Sequence, residues 1–278
     1  VNNTESTSRS MGLTATVSYM YDFRYSVDFN VRGDMSSQFG ADSKLKPFWS
    51  VGARWNASRE KWLEGTAISN LVLRTSYGIT GSQNYDPYQA IEGYTFEEMM
   101  FQYLSSGVIG SKLKGFGNPD LDWSTTEDFS AAIELGFFNN DLTLSLDYFV
   151  KKNVDLLAQI DLNLSSGQIF EINSSREKPY VNTASVKNTG WEFMMNYRKQ
   201  LTKDFHIDAT FNIATLKNKV LSLGENVQPI TSGAMSSYFN DAASITMPGE
   251  AIGSFYGYKI DGFDAEGNFI FADTDKNG

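Results

Sequence analysis

Residues 118–157 read NPDLDWSTTEDFSAAIELGFFNNDLTLSLDYFVKKNVDLL, and the order of apolar and polar side chains within them predicts a long β-hairpin. Thr125, Phe129, Ala131, Ile133 and Leu135 alternate with Thr126, Asp128, Ser130, Ala132 and Glu134, which a strand sorts onto opposite faces. After a turn at 137–141 the pattern resumes, with Leu142, Leu144, Leu146, Tyr148 and Val150 set against Thr143, Ser145, Asp147, Phe149 and Lys151. One face of the hairpin is apolar and the other is wet. In a soluble β-sandwich the apolar face would pack on a second sheet; in a membrane barrel it would face lipid while the polar face lines a lumen. Length favours the barrel, since about 9–11 residues are needed to cross a bilayer and ordinary strands run about 5–6.

The pattern repeats on both sides of this hairpin. Leu13, Ala15, Val17, Tyr19 and Tyr21 form one stripe and, after a tight turn near Phe23, Tyr25, Val27, Phe29 and Val31 form the next. Trp49, Val51, Ala53 and Trp55 follow, then Leu71, Leu73, Thr75, Tyr77 and Ile79. Beyond the hairpin come Trp191, Phe193, Met195 and Tyr197, then Phe205, Ile207, Ala209, Phe211 and Ile213. A ninth candidate, residues 252–260, alternates poorly. Shorter connections near 22–24, 57–69, 137–141 and 199–204 take turns with mostly longer ones at 33–47, 81–121, 152–188 and 214–251. This is the rhythm of an up-and-down barrel with short turns at one end and long loops at the other. Tyr19, Tyr21, Phe23, Tyr25, Trp55, Phe137, Phe138, Tyr197 and Phe205 gather at the short-turn ends, as an interfacial aromatic girdle would.

Composition fits the same reading. The chain is 41% hydrophobic with a mean hydropathy of -0.32, as expected where luminal residues dilute lipid-facing ones. No run of about 18 apolar residues occurs, so no transmembrane helix is expected. A net charge of -10 argues against nucleic acid as a partner, because binding it requires a basic surface. The absence of cysteine excludes a disulfide framework and a thiolate metal site. His206, the one histidine, falls on the polar face beside Asp208 and leaves little material for a nucleophile–base pair. Asp120 with Asp122, or Glu127 with Asp128, read as solvated charge rather than as two carboxyls converging on a glycosidic bond. The chain is not expected to be an enzyme. VNNTESTSRS at the start lacks the regions of a signal peptide, and the chain stops inside an acidic motif, so a segment of a longer protein is expected.

Several blocks, taken in order, resemble the SusC/RagA-like TonB-dependent transporters of the Bacteroidetes outer membrane. They are Arg32-Gly33-Asp34-Met35-Ser36-Ser37, Ser50-Val51-Gly52-Ala53-Arg54-Trp55, and Leu71 through Gly81, LVLRTSYGITG. Asn118-Pro119 with Leu121-Asp122-Trp123, Gly136-Phe137-Phe138-Asn139-Asn140, Asn188-Thr189-Gly190 and residues 252–258, IGSFYGY, continue the series. Met35, Ser124 and Ala184 depart from the residues usual at these places. The resemblance implies an all-β fold, a transmembrane antiparallel up-and-down β-barrel of about 22 strands, of which this chain would supply about eight or nine. Residues 1–278 are then a partial barrel domain, with the plug domain and the remaining strands absent. The resemblance further implies TonB-dependent import of oligosaccharides or peptides across the outer membrane, with TonB acting through the absent plug and a SusD-like surface lipoprotein as partner. The alternatives are a soluble β-sandwich adhesion or carbohydrate-binding module and a passive porin.

Substrate contacts would sit in the long loops, where Tyr85, Tyr88, Tyr94 and Phe96 could stack on sugar rings or peptide side chains. The preferred account of the same loop is a small core of its own, since Phe96, Met99, Met100, Tyr103 and Leu104 fit a short amphipathic helix. Asp273, Asp275 and Asn277 match the first half of a calcium loop, which makes Ca2+ a possible ligand and leaves a plain acidic turn as the alternative. The mixed charges of the polar face, among them Arg54, Arg74, Glu134, Asp147 and Glu192, are read chiefly as salt-bridge ladders on a wet wall.

Overall fold

The computed structural model describes residues 7–38, 45–83, 90–98, 109–115, 117–159, 180–224, 227–234 and 242–272. Its strands are β1 (Ser10–Tyr21), β2 (Tyr25–Ser36), β3 (Leu45–Asn56), β4 (Ile68–Ser82), β5 (Gly93–Glu98), β6 (Ile109–Gly115), β7 (Ser124–Phe137), β8 (Leu142–Gln159), β9 (Tyr180–Gln200) and β10 (His206–Ser222), followed by the shorter β11 (Ile230–Ala234), β12 (Ala242–Thr246), β13 (Ser254–Phe255), β14 (Ile260–Phe263) and β15 (Phe269–Phe271). Eight of them form one sheet in the order β1-β2-β3-β4-β7-β8-β9-β10, each neighbour antiparallel. This is a length of barrel wall. β5 and β6 make a separate hairpin inside the connection from β4 to β7.

Register carries the alternation across the wall. Tyr21, Tyr25, Trp55, Leu73, Ile133, Leu146, Phe193 and Ile213 stand in one row, and Val17, Phe29, Val51, Tyr77, Phe129 and Val150 in another. A one-residue slip anywhere would put this apolar set into the lumen, so burial of one face in lipid fixes the register. Phe29 is 44% exposed, Phe211 51% and Ile213 55%. A sandwich needs a second sheet over these residues, and among the described residues none covers them. A lipid-facing wall needs none, because the sheet already pairs its own backbone N–H and C=O groups, as a bilayer demands.

The short turns use left-handed backbone. Asp22 (φ 49) and Phe23 (φ 53) are the two central residues of the β1–β2 turn, closed by the Arg24 amide donating to the Tyr21 carbonyl at 2.9 Å. Two positive φ values in succession give the twist that a tight hairpin turn needs, at the cost of strain on a bulky phenylalanine. Arg59 lies 5.6 Å over the Phe23 ring, and Arg24 pairs with Asp22 at 3.0 Å. Beside this turn Glu60 accepts from Tyr25 at 2.8 Å, with the Trp55 indole at 3.4 Å and Arg24 at 3.5 Å. The Tyr25 hydroxyl first, and the indole and guanidinium after it, hold the Glu60 carboxyl below its ordinary value against partial desolvation.

Three expectations are corrected. Residues 252–260 are not a ninth wall strand: Gly253 turns left-handed (φ 69), β13 joins β12, and Ile260 begins a hairpin with β15. The helix expected from Phe96 onward begins instead as β5, whose Tyr94-Thr95-Phe96 pair with Ser111, Lys112 and Leu113, while residues 99–108 lie outside the described residues. The loop rhythm is also less regular than it read. β2 and β3 extend until only 37–44 separate them, fewer residues than the 57–67 connection, which folds into two 3-10 turns, Ala57–Arg59 and Lys61–Leu63.

A wall has no central core. The buried side chains gather instead at the two ends: on the luminal side at the long-loop end Ala158, Ala184, Val186, Val220 and Leu223 form one group and Phe48 with Trp123 another, while Ala57, Leu63 and Val72 are buried at the short-turn end.

Candidate functional site

The luminal face carries charge in an ordered way. Arg54 and Arg74 stand opposite each other on β3 and β4, while Asp147 and Glu192 oppose each other on β8 and β9. Arg74 reaches Glu134 at 2.8 Å and Asp147 at 3.5 Å, and Asp147 also accepts from Ser145 at 2.7 Å. Lower on the wall Arg198 pairs with Asp208 at 2.8 Å. Exposed pairs of this kind contribute about 0–1 kcal/mol each, so they order the wall more than they stabilise it. Asp28, Arg54 and Glu192 form no ion pair among the described residues, which leaves them to whatever fills the lumen.

At the long-loop end the residues 117–123 run as a strap that knits three strands together. Asn182 of β9 donates to the Asp122 carbonyl at 2.7 Å and to the Asp155 carbonyl at 2.9 Å, and accepts from the Asp122 amide at 2.9 Å. Asn118 donates to the Tyr180 carbonyl at 2.8 Å, and Lys46 of β3 pairs with Asp122. The strap ends in Trp123, whose ring meets Phe48 edge-on at 5.5 Å. Gly81 permits this, since a Cβ there would coincide with the Phe48 ring.

Beside the Phe48–Trp123 pair opens a cleft of about 430 Å³, with Thr14, Asn30, Arg32, Asp34, Thr80 and Gln83 among its lining residues. Arg32 and Asp34 pair at 2.7 Å, and the Gln83 side-chain oxygen is buried without a hydrogen-bond partner. Hydroxyls, amides and one ion pair over an apolar floor can hydrogen-bond an uncharged polar ligand. They supply no nucleophile with a base.

Of the aromatic residues singled out from the sequence, Tyr85 and Tyr88 lie outside the described residues. Tyr94 stands exposed on β5 and donates to Glu92 at 3.1 Å, a bond that raises its pKa above the ordinary tyrosine value. Phe96 sits on the same strand opposite Ser111. Asp273, Asp275 and Asn277 of the candidate calcium loop also lie outside the described residues. The cleft residues Thr14, Asn30 and Gln83 were not singled out. Polar parity, seen beside Arg32, marked Thr14 and Asn30 in the sequence, while Gln83 lay in the stretch read as a long loop.

A curved antiparallel wall with a lipid-type face, a charged lumen and a polar mouth defines an outer-membrane β-barrel. Residues 1–271 match the family model described as TonB dependent receptor-like, beta-barrel, and the chain belongs to that family. It is 31% identical to TonB-dependent receptor P3 of Formosa agariphila, over 94% of this chain and 27% of the relative. It is 30% identical to TonB-dependent receptor SusC of Bacteroides thetaiotaomicron, over 92% of this chain and 26% of the relative. The chain thus spans about a quarter of the length of these relatives. Among solved structures the RagAB peptide transporter superposes with a TM-score of 0.80 at 24% identity, covering 95% of this chain and 27% of that one. That likeness bears on the fold, and the wall described above is part of a larger barrel. The family consists of transporters, not enzymes, and resides in the outer membrane.

In such barrels the short turns face the periplasm and the long loops the exterior. Asp120 lies exposed in the strap and Asn140 exposed in the 138–141 turn. On intact cells a membrane-impermeant maleimide should label an Asp120→Cys variant and spare Asn140→Cys, and permeabilising the outer membrane should equalise the two. Labelling of Asn140→Cys alone would invert the orientation.

Proposed function

We propose that this chain forms part of the wall and external mouth of a TonB-dependent importer of oligosaccharides or peptides that works with a SusD-like surface lipoprotein. The observation that carries the reading is the polar cleft at the long-loop end of the luminal face, where an incoming solute first meets the wall. The likeness to SusC at 30% identity supports a transporter of that type, and the RagAB structure belongs to a peptide importer. Neutral hydrogen-bonding groups and one internally satisfied ion pair at the mouth suit either a sugar hydroxyl or a peptide amide. Transport would draw its energy from TonB through a plug domain inside the completed barrel.

Uptake of labelled oligosaccharides and peptides by cells carrying the full-length protein tests this. Import should stop on deletion of the gene, on deletion of TonB and on collapse of the proton gradient. Import that persists without TonB would make the barrel a passive porin. Undiminished import after loss of the neighbouring lipoprotein would remove the proposed partner.

A further inference from the structure

The outward face of β8, β9 and β10 changes character abruptly at its external end. The outward positions of β8 are Leu142, Leu144, Leu146, Tyr148 and Val150, and the next is Lys152. Those of β9 run Tyr197, Met195, Phe193, Trp191 and Thr189 to Lys187; those of β10 run Phe211, Ile213 and Thr215 to Lys217 and Lys219. Lys152, Lys187 and Lys219 stand side by side in one register row, with Lys217 one row closer to the apolar band. Such clustering is notable in a chain of net charge -10. No aspartate or glutamate occupies an outward position between Leu142 and Val154 on β8, between Lys187 and Lys199 on β9, or between Ile207 and Lys219 on β10. Lys152 reaches Glu127 of β7 at 3.5 Å, but Lys187, Lys217 and Lys219 are exposed and form no ion pair among the described residues.

The position gives these charges a use. A strand rises about 3.4 Å per residue, and a tilt of about 40° puts Lys152 roughly 25 Å above Leu142, the height of an outer-membrane apolar band. The amines therefore stand at the level of the outer-leaflet headgroups. About 13 Å further down β9, four residues from Lys187, Trp191 packs on Tyr148 at a centroid distance of 4.6 Å. The two rings border a shallow apolar groove of about 560 Å³, where the small side chains of Ala53, Thr75 and Ala131 line up in register between larger neighbours. The groove is within an acyl chain's reach of the lysines.

We propose that Lys187, Lys217 and Lys219 bind the phosphate of an outer-leaflet lipid headgroup, with an acyl chain of that lipid lying in the groove beside Trp191. Three amines that form no ion pair among the described residues, on strands whose outward positions carry no carboxylate beside them, complement a phosphate, and the juxtaposed groove separates a lipid from a free anion.

Full-length protein, stripped of lipid in detergent, can be titrated with lipid A and with dephosphorylated lipid A and read by native mass spectrometry. A lysine near a charged headgroup strengthens binding about fivefold, so three should favour the phosphorylated lipid by on the order of 10-fold or more after screening. Lys187→Gln/Lys217→Gln/Lys219→Gln should abolish that preference, the corresponding triple arginine variant should retain it, and Lys199→Gln/Lys203→Gln at the opposite rim should leave it unchanged. Ala131→Trp, which fills the groove, should weaken both lipids alike. Heat-modifiable migration on gels confirms that each variant is folded. Equal binding of the two lipids by the parent protein, a preference that survives the triple glutamine variant, or displacement of bound lipid by millimolar inorganic phosphate would each overturn the proposal.

Discussion

Leu146→Arg should destabilise the full-length barrel by about 2–4 kcal/mol, the cost of an arginine on a lipid face near the bilayer midplane. Leu146 lies in the row between Ile133 and Phe193, and no protein layer among the described residues covers it. Arginine at this place must carry its guanidinium into hydrocarbon or bend the bilayer to wet it. The adjacent Ser145→Arg points the same side chain into the lumen, where Glu134 and Met194 are its register partners and Asp147 already accepts from Ser145. That variant should shift stability by less than about 1 kcal/mol, since a luminal guanidinium stays solvated beside acids. Reversible unfolding in guanidinium, followed by tryptophan fluorescence in phospholipid vesicles, measures both. If the two costs came out equal, the assignment of faces would be wrong; if they were reversed, the wall would be inside out.

What could be read from the sequence follows from the same physics. Wherever lipid lies on one side and water on the other, the period of two is forced, and Leu142 through Val150 or Phe193 through Tyr197 announce the strands directly. Above the band both faces are wet and the constraint lapses. β8 therefore continues to Gln159, β9 starts at Tyr180, and β10 runs to Ser222, in stretches that read as loop. Polar side chains there still pair across strands, as Thr126 does with Asn153 at 2.8 Å and Asn218 with Asn188 at 2.7 Å, but such pairs have no sequence period. The small cluster of Ala158, Ala184, Val186, Val220 and Leu223 was invisible for a related reason, because its members come from three strand ends and meet only after the barrel wall has formed. The mouth was partly legible. Asn118, Asp122 and Trp123 stood out through family resemblance, whereas their joint role with Asn182 as a strap depends on contacts about 60 residues apart in the chain, which no local pattern encodes.

Trp123→Ala should be the most damaging single change at the mouth. The residue is 4% exposed and meets Phe48 edge-on in a cluster that Ile79 and Leu157 pack against, so truncation removes a large buried ring and leaves a cavity. Losses of about 3–5 kcal/mol accompany such truncations in packed cores. Because the residue stands above the lipid band, the loss should be local: hydrogen exchange should accelerate in residues 117–123, at the Leu45–Phe48 end of β3 and at the Tyr180–Ala184 end of β9, with amides between Leu142 and Val150 unchanged. Asn182→Ala separates packing from hydrogen bonding at the same place. It leaves the Asp122 amide and the Asp122 and Asp155 carbonyls without their side-chain partner, a cost of about 1–3 kcal/mol that should loosen the same segments while Trp123 stays buried. In the double variant the losses should fall short of their sum, because a strap already released by one change has less to lose from the other. Full additivity would mean that the ring and the asparagine act on separate parts of the mouth, and the strap would not be one unit.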